Sequence, residues 1–565
     1  ALAPAKGGRA KWAALIVAAL VLVAGGGALA LVFALRGSND VVTPMVPKDA
    51  AVYAVAYLDP SLSQKLALRD LSKKFPSIRD QAALTRRIDQ TMDSLLAQSG
   101  LRFSSDVRPW LGPQIGVVVE VKGGSTQVAV LIASKDASAA QAALRKVRDR
   151  TSADGTTWTD QTHGGVTLSV GSGGLGSSQV YAYVGDAAVL ANGPAVVDDV
   201  IDTTQGAIAG IASTPGYQKV VAGLPTDRLA LVYVNIPPLV KELESSLSAS
   251  GLDVTTAGNA FAQLEADQGL GMTISAKPNG IAADMTVTVD PSKLTTTQRQ
   301  ALAVPAHANA VLGFTPDTTL GVLGVESLKQ TLQTIVDQAT KQDPAFAQTA
   351  QDYGLTGPDG IIGHLTGDAG WEVDTSSDTG LGPLLPVQFA VMAGTDDRAR
   401  MESFLTTTVS KLTESIAGSG VGSGGVSGTW SQSDYRGATI HTFSDPALER
   451  YGVTPSYAVS SDGMAILASS ASEVQRMLDA HLDGKDVSGS VNYRTASQGG
   501  IAKPSTVFYL NVQGIATTIR QQLPPDQQQQ YDANVDPNLR PIKSFLLTSV
   551  SSADRGSFRM FLFIQ

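Results

Sequence analysis

The sequence predicts an α+β fold: an N-terminal transmembrane helix followed by two tandem copies of a domain with a mainly antiparallel sheet covered by helices. Three observations predict it. An uncharged apolar run lies near the N-terminus, a set of residues recurs at one fixed spacing, and strands and helices mix without the regular strand–helix alternation of a parallel sheet.

With 565 residues, 43% of them hydrophobic, the chain is long enough for two or three domains, each able to bury a full core. Its net charge is −9. The first 36 residues hold Lys6, Arg9, Lys11 and Arg36 and no acid, so taking these four charges from −9 leaves −13 on the rest. A chain of that sign repels phosphate backbones, and no nucleic-acid partner is expected. The absence of cysteine excludes disulfides, thiolate metal sites, a thiol nucleophile and a lipid-modified cysteine anchor.

In chain order, residues 1–11 read as a short cytoplasmic tail and 12–35 as the transmembrane helix. The run WAALIVAALVLVAGGGALALVFAL carries no charge over 24 residues, and at about 1.5 Å per residue it spans a hydrocarbon core of about 30 Å. Three cations precede it, which places the N-terminus in the cytoplasm and the bulk of the chain outside, with the lipid bilayer as partner through residues 12–35. A cleaved signal peptide is the competing reading. It would have a shorter apolar region, although Ala28-Leu29-Ala30 resembles a cleavage site. Residues 36–46 form a linker, 47–290 the first repeat, 291–303 a connector and 304–565 the second repeat.

The repeat rests on register. Tyr181 and Tyr457, Asp186 and Asp462, Tyr217 and Tyr493, Tyr233 and Tyr509, and Asn235 and Asn511 are all 276 positions apart. Earlier in each half the offset falls to about 254–260, where QVAVLIASKDASAAQAALRKV matches VQFAVMAGTDDRARMESFLTT, each a strand turning into an amphipathic helix. Helices are expected near 61–74, 80–98, 194–202 and 471–481, on one face of the sheet. Each copy ends in a hairpin, with turns placed at Asn279-Gly280 and Arg555-Gly556.

Motifs that suggest chemistry fail in context. Gly171–Gly176 fits the dinucleotide fingerprint G-x-G-x-x-G, but the following SSQVYAYVGD reads as a strand, whereas phosphate binding needs the glycine loop to open a helix. Gly420–Gly425 matches inside a flexible linker. The five histidines, His163, His307, His364, His441 and His481, show no metal spacing, and no G-x-S-x-G elbow or P-loop occurs. Asp198-Asp199 and Asp396-Asp397 read as helix-start acids. No catalytic, cofactor-binding or metal-binding residue is therefore expected, no cofactor, and no enzymatic activity. The candidate binding surface consists of Trp110, Tyr233, Asn235, Tyr509 and Asn511. Trp110, in FSSDVRPWLG, either presents an aromatic to a partner or fills the gap between helix and sheet with its N–H on a backbone carbonyl. The second repeat has Gly360–Leu365 there and lacks the tryptophan. Tyr233 and Asn235, like Tyr509 and Asn511, alternate on a strand and share a face.

The strings PKDAAVYAVAYLDPS, KKFPS and DVRPWLG behind one membrane helix, with the repeated tyrosine and asparagine elements, resemble an uncharacterised bacterial family, domain of unknown function 3352, over residues 47–565. The resemblance implies an anchored protein of the bacterial envelope and supplies no catalytic residue. The function expected is that of a non-catalytic binding or scaffold protein whose partner is an envelope protein or polymer. The alternative is a carrier or sensor of an apolar ligand held in a cavity, which requires a continuous apolar pocket larger than about 300 Å³. A third reading, an envelope hydrolase, requires a serine or carboxylate within about 3 Å of a histidine in a cleft.

Overall fold

The computed structural model describes residues 40–565 apart from 97–99, 123, 174–178, 250–265, most of 295–305, 376–386, 419–427 and 450–451. The expected span at 12–35, the tail before it and the Gly420–Gly425 run lie outside the described residues. Among the described residues no helix is long and apolar enough to cross a membrane. The chain divides into two compact units. One runs to Leu294 and takes in Asp554–Ser557; the other comprises Thr295–Ala553 and Phe558–Gln565.

The first unit contains β1 (Val52–Tyr57), β2 (Leu111–Lys122), β3 (Ser125–Ser134), β4 (Thr156–His163), β5 (Val166–Gly173), β6 (Gln179–Val184), β7 (Ala187–Ala191), β8 (Ala230–Asn235), β9 (Asp267–Lys277) and β10 (Gly280–Val289). They pair in the order β10-β9-β8-β1-β2-β3-β7-β6-β5-β4, every neighbour antiparallel. In the second unit the strands are β11 (Gly321–Val325), β12 (Leu365–Thr375), β13 (Val387–Thr395), β14 (Thr429–Tyr435), β15 (Ala438–Ser444), β16 (Ser456–Val459), β17 (Met464–Ala468), β18 (Thr506–Leu510) and β19 (Ile542–Ser552), with β20 (Arg555–Ile564) beyond β19. Their order, β19-β18-β11-β12-β13-β17-β16-β15-β14, repeats that of the first unit and is again antiparallel. The fold is α+β with a large antiparallel sheet and helices.

The principal helices are α1 (Leu62–Ser72), α2 (Gln81–Leu96), α3 (Ala137–Ala153), α4 (Pro194–Thr204) and α5 (Pro215–Val221) in the first unit, and α6 (Leu328–Gln342), α7 (Arg398–Gly418) and α8 (Ala471–Asp483) in the second. Local chemistry sets their ends. Asp136 caps α3 by accepting from the Ala139 N–H at 3.0 Å, and Ser470 caps α8 through the Glu473 N–H at 3.1 Å. Gly484, at φ +64°, closes α8 in the left-handed conformation.

Helices pack on both faces of the first sheet rather than one. Val118, Ala129 and Leu131 join a core with Val196, Val200 and Ile201 of α4 and Tyr217 and Val220 of α5. Val130, Ile132 and Ile115 on the opposite face pack with Met92 of α2 and Ala140 and Ala143 of α3. The continuous apolar run IGVVVEV of β2 is the pattern of a strand buried on both sides. Two local expectations also shift. The hairpin turns fall one or two positions earlier, at 278–279 and 553–554, because Gly280 already pairs with Lys277. Asp198 and Asp199 sit inside α4, which starts at Pro194, where the fixed φ and missing N–H of proline suit the first turn. Asp397 does cap α7, accepting from the Arg400 N–H at 3.0 Å.

Candidate functional site

Most residues singled out from sequence lie in the core. Trp110 is 3% exposed and packs among Leu58, Phe103, Val107 and Leu111, with its indole Nε1 donating to the Asp106 carbonyl at 2.6 Å. In the second unit Ile361 and Ile362 are buried beside that strand start, while His364 turns outward to Asp396 at 3.0 Å. Tyr233 stands edge-on to Tyr217 at 5.1 Å and 77°, and Tyr509 meets Tyr493 at 5.2 Å and 77°. Burial pushes all four hydroxyls up to about 12. Asn235 ends β8 half-buried. Asn511 caps the helix Val512–Gln522, accepting from the Gly514 N–H at 3.0 Å. Gly171 lies within β5, opposite Gln179 of the antiparallel β6; the rest of that glycine run, 174–176, lies outside the described residues.

Of these residues only the partner of Tyr509, Tyr493, reaches the most prominent cavity. This cleft of about 930 Å³ lies within the second unit. One wall is the segment 306–314, held to the sheet by the His307 and Ala310 N–H groups donating to Glu326 and Asp368 and closed locally by Asn309, whose side chain accepts from the Val311 N–H at 3.0 Å. Thr366 and Asp368 of β12, Gly394 and Thr395 of β13 and the β16–β17 turn supply the floor. Gly463 in that turn has φ +82°, and a Cβ there would meet the Thr395 carbonyl oxygen, so only glycine closes the turn without strain. Ala310, Leu312, Phe314, Met464, Pro504 and Val507 make the lining largely apolar.

Two imidazole–carboxylate pairs line the cleft, beside Asn309, Thr366, Thr395, Ser488, Tyr493 and Lys503. His481 of α8 stacks on Phe314 at 3.9 Å and 10°, its Nε2 2.7 Å from Asp462 and its Nδ1 3.2 Å from the Gly313 carbonyl oxygen. Both ring nitrogens thus face acceptors. The His481 contact holds the Asp462 carboxyl below its ordinary range. The proximity criterion for a hydrolase, a carboxylate within about 3 Å of a cleft histidine, is met here; the second ring nitrogen faces a carbonyl oxygen and not a serine.

The second pair belongs to a larger group. His307 Nε2 lies 3.1 Å from Asp368 Oδ1, its Nδ1 lies 3.4 Å from Glu326 Oε2, and its backbone N–H donates to Glu326 at 3.2 Å. Donor atoms of His307, Glu326 and Asp368 all lie within 4.8 Å of one another, a set able to hold a metal ion. Burial raises the Glu326 carboxyl, opposed by the His307 N–H and ring. Sequence spacing carries no trace of this cluster, because its members stand 19 and 61 positions from His307 and meet only through β11–β12 pairing. His163, His364 and His481 each have a carboxylate partner as well, so the histidines are not isolated as their spacing suggests.

A second polar cluster is fully buried beside β12. Glu372 and Glu473 share a carboxyl–carboxyl hydrogen bond. The Thr319 hydroxyl donates to Glu372 at 3.0 Å, and Arg476 donates to Glu473 at 3.0 Å and pairs with Asp374. Burial drives the Glu372 carboxyl well above its ordinary value and raises that of Glu473. The unpartnered oxygens, Glu372 Oε1 and Glu473 Oε1, are accounted for by one proton held between them.

No curated protein matches the chain. Crystal form III of TP0453 is similar at 11% identity and TM-score 0.24, covering 48% of this chain and 89% of that one. Form IV gives 11% and 0.22 over 44% and 79%, and form I gives 8% and 0.22 over 45% and 80%. Scores of this size fix neither fold nor function. The family described as "Protein of unknown function (DUF3352)" matches residues 15–354, so His307 and Glu326 fall within the match and Asp368 and His481 beyond it. The match begins earlier than the resemblance at residue 47 and stops short of its end at 565. With more than half of its length matched, the chain belongs to the DUF3352 family, whose function is unknown.

Proposed function

We propose that this chain is a non-catalytic binding protein of the bacterial envelope, anchored by residues 12–35 with its bulk outside the cytoplasm, and that its second unit holds an apolar or amphipathic ligand. The observation that carries the reading is the cleft of about 930 Å³, within the range of small-molecule sites and lined by apolar side chains with a few polar groups at fixed positions. The two units descend from one duplicated domain, a reading supported by the repeated strand order and the matching tyrosine pairs. Their chemistry has since diverged. Against an enzyme stands His481, whose nitrogens are both occupied.

The test is native mass spectrometry of the full chain from its producing cells, before and after organic extraction. Loss of a discrete small apolar mass supports the reading; a chain that carries no such mass in any preparation refutes it. A second reading, docking of a protein partner, is favoured by one row across the second sheet. Trp371, Val391 and Leu467 are direct cross-strand neighbours and are 38%, 51% and 41% exposed, an apolar stripe that surfaces seldom leave uncovered.

A further inference from the structure

We propose that His307, Glu326 and Asp368 form a binding site for a divalent first-row transition-metal ion at the wall of the second unit's cleft. Four observations converge on it. Donor atoms of the three side chains come within 4.8 Å of one another. The imidazole stands between the two carboxylates, its Nε2 3.1 Å from Asp368 and its Nδ1 3.4 Å from Glu326; the Nε2–Asp368 separation matches the spacing of neighbouring ligands, about 3.0–3.5 Å, around an ion with bonds of about 2.1 Å.

The charge balance also calls for a cation. Glu326 is 3% and Asp368 7% exposed, and two buried carboxylates face a single imidazole, which supplies at most one positive charge. Buried charge of one sign persists only when paired or bound to metal.

The first unit provides an internal comparison. Its β1–β2 register sets Tyr57 opposite Gln114, and the β11–β12 ladder, extended one step past Val325 and Ala369, sets Glu326 opposite Asp368. Where the second unit places two acids, the first places a phenol and an amide. Gln114 there accepts from the Val41 and Val42 N–H groups at 2.7 and 3.0 Å and donates to Asp40 at 3.0 Å, so the paired positions themselves carry no carboxylate. Asp368 keeps the same backbone role, accepting from the Ala310 N–H, and Glu326 accepts from the His307 N–H; what the acids add is negative charge that the amide and the phenol lack.

Access is the fourth point: the His307 side chain is 46% exposed, and both His307 and Asp368 line the cleft. One nitrogen and two carboxylates, with no sulfur, suit zinc or manganese(II). The inference stands independently of the apolar ligand, since the ion can bind an empty or a filled cleft.

The experiment is calorimetric titration of chelator-treated full chain in detergent with zinc chloride and, separately, manganese chloride at pH 7.5. One ion per chain is expected, with at least tenfold weaker binding in both Asp368→Asn and His307→Ala. His307 is exposed, so its substitution leaves folding intact, and circular dichroism verifies that Asp368→Asn is folded. Absence of stoichiometric binding by either ion overturns the site, as does affinity unchanged in both variants. Extraction of an apolar mass has no bearing on this result, so the two readings fail separately.

Discussion

Replacing Glu372 by glutamine tests the buried carboxyl pair. In the folded chain Glu372 and Glu473 hold one proton between them, with Glu372 raised well above 4.5 by burial and by its neighbour. A raised carboxyl contributes stability that is fully present below the unfolded value and is lost as pH rises through the folded one. Between those two values the folded state binds one proton that the unfolded chain has released. Stability of the second unit then falls by about 1.4 kcal/mol per pH unit. In Glu372→Gln the amide keeps the acceptor for Thr319 and donates to Glu473 without a titrating proton, so this slope disappears. Above 4.5 the variant gains on the parent by about 1.4 kcal/mol per pH unit until the raised value is passed, which for a unit of this size is about 3–6 °C in Tm per pH unit at ~2–4 °C per kcal/mol. Thermal unfolding followed by circular dichroism between pH 4 and 8 measures it. A parent–variant difference that stays constant across that range refutes the shared proton.

Trp110→Ala removes a buried indole and its 2.6 Å bond to the Asp106 carbonyl, at an expected cost of about 3–5 kcal/mol; a change below 1 kcal/mol in denaturant unfolding contradicts its packing role. Glu120, buried beside Lys122 at 3.1 Å, is raised by burial to about 7, so its carboxyl carbon should titrate near neutrality by NMR, and the stability it contributes fades between 4.5 and about 7; a midpoint near 4.5 excludes this. Gly463→Ala forces a Cβ onto the Thr395 carbonyl at φ +82°, and should destabilise the second unit by more than about 1 kcal/mol. An unchanged Tm would mean the turn can relax.

How far the chain could be read in advance follows from which residues act locally. The tyrosine pairs were legible because no insertion falls between the helix and the strand that carry them: Tyr217 with Tyr233 and Tyr493 with Tyr509 keep one offset and one ring geometry. The amphipathic starts of α3 and α7 were legible for a similar reason, since a strand, a capping aspartate and a helical stripe lie within one stretch. Helix placement on both sheet faces was missed although β2 carries the signal, a run of apolar residues without alternation.

The polar clusters were not legible. Glu326 and Asp368 meet through strand pairing across an intervening helical excursion, and Glu372 meets Glu473 from an unrelated helix. Nothing in the local surroundings of an isolated Glu or His distinguishes a buried partner from a solvated one. Trp110 could be assigned an environment but not a choice between surface and core until Phe103 and Val107 folded beneath it. The proposed span at 12–35 is read from hydropathy and from the cations before it.

The most direct measurement of the central claim, that the second unit's cleft receives an apolar ligand, is photolabelling of the full chain with a diazirine-bearing acyl probe, followed by peptide mapping. Label is expected in the peptides carrying Ala306–Phe314 and Met464, and its loss in Ala310→Trp, which places an indole in the cleft. Label confined to the first unit, or unaffected by Ala310→Trp, would contradict it.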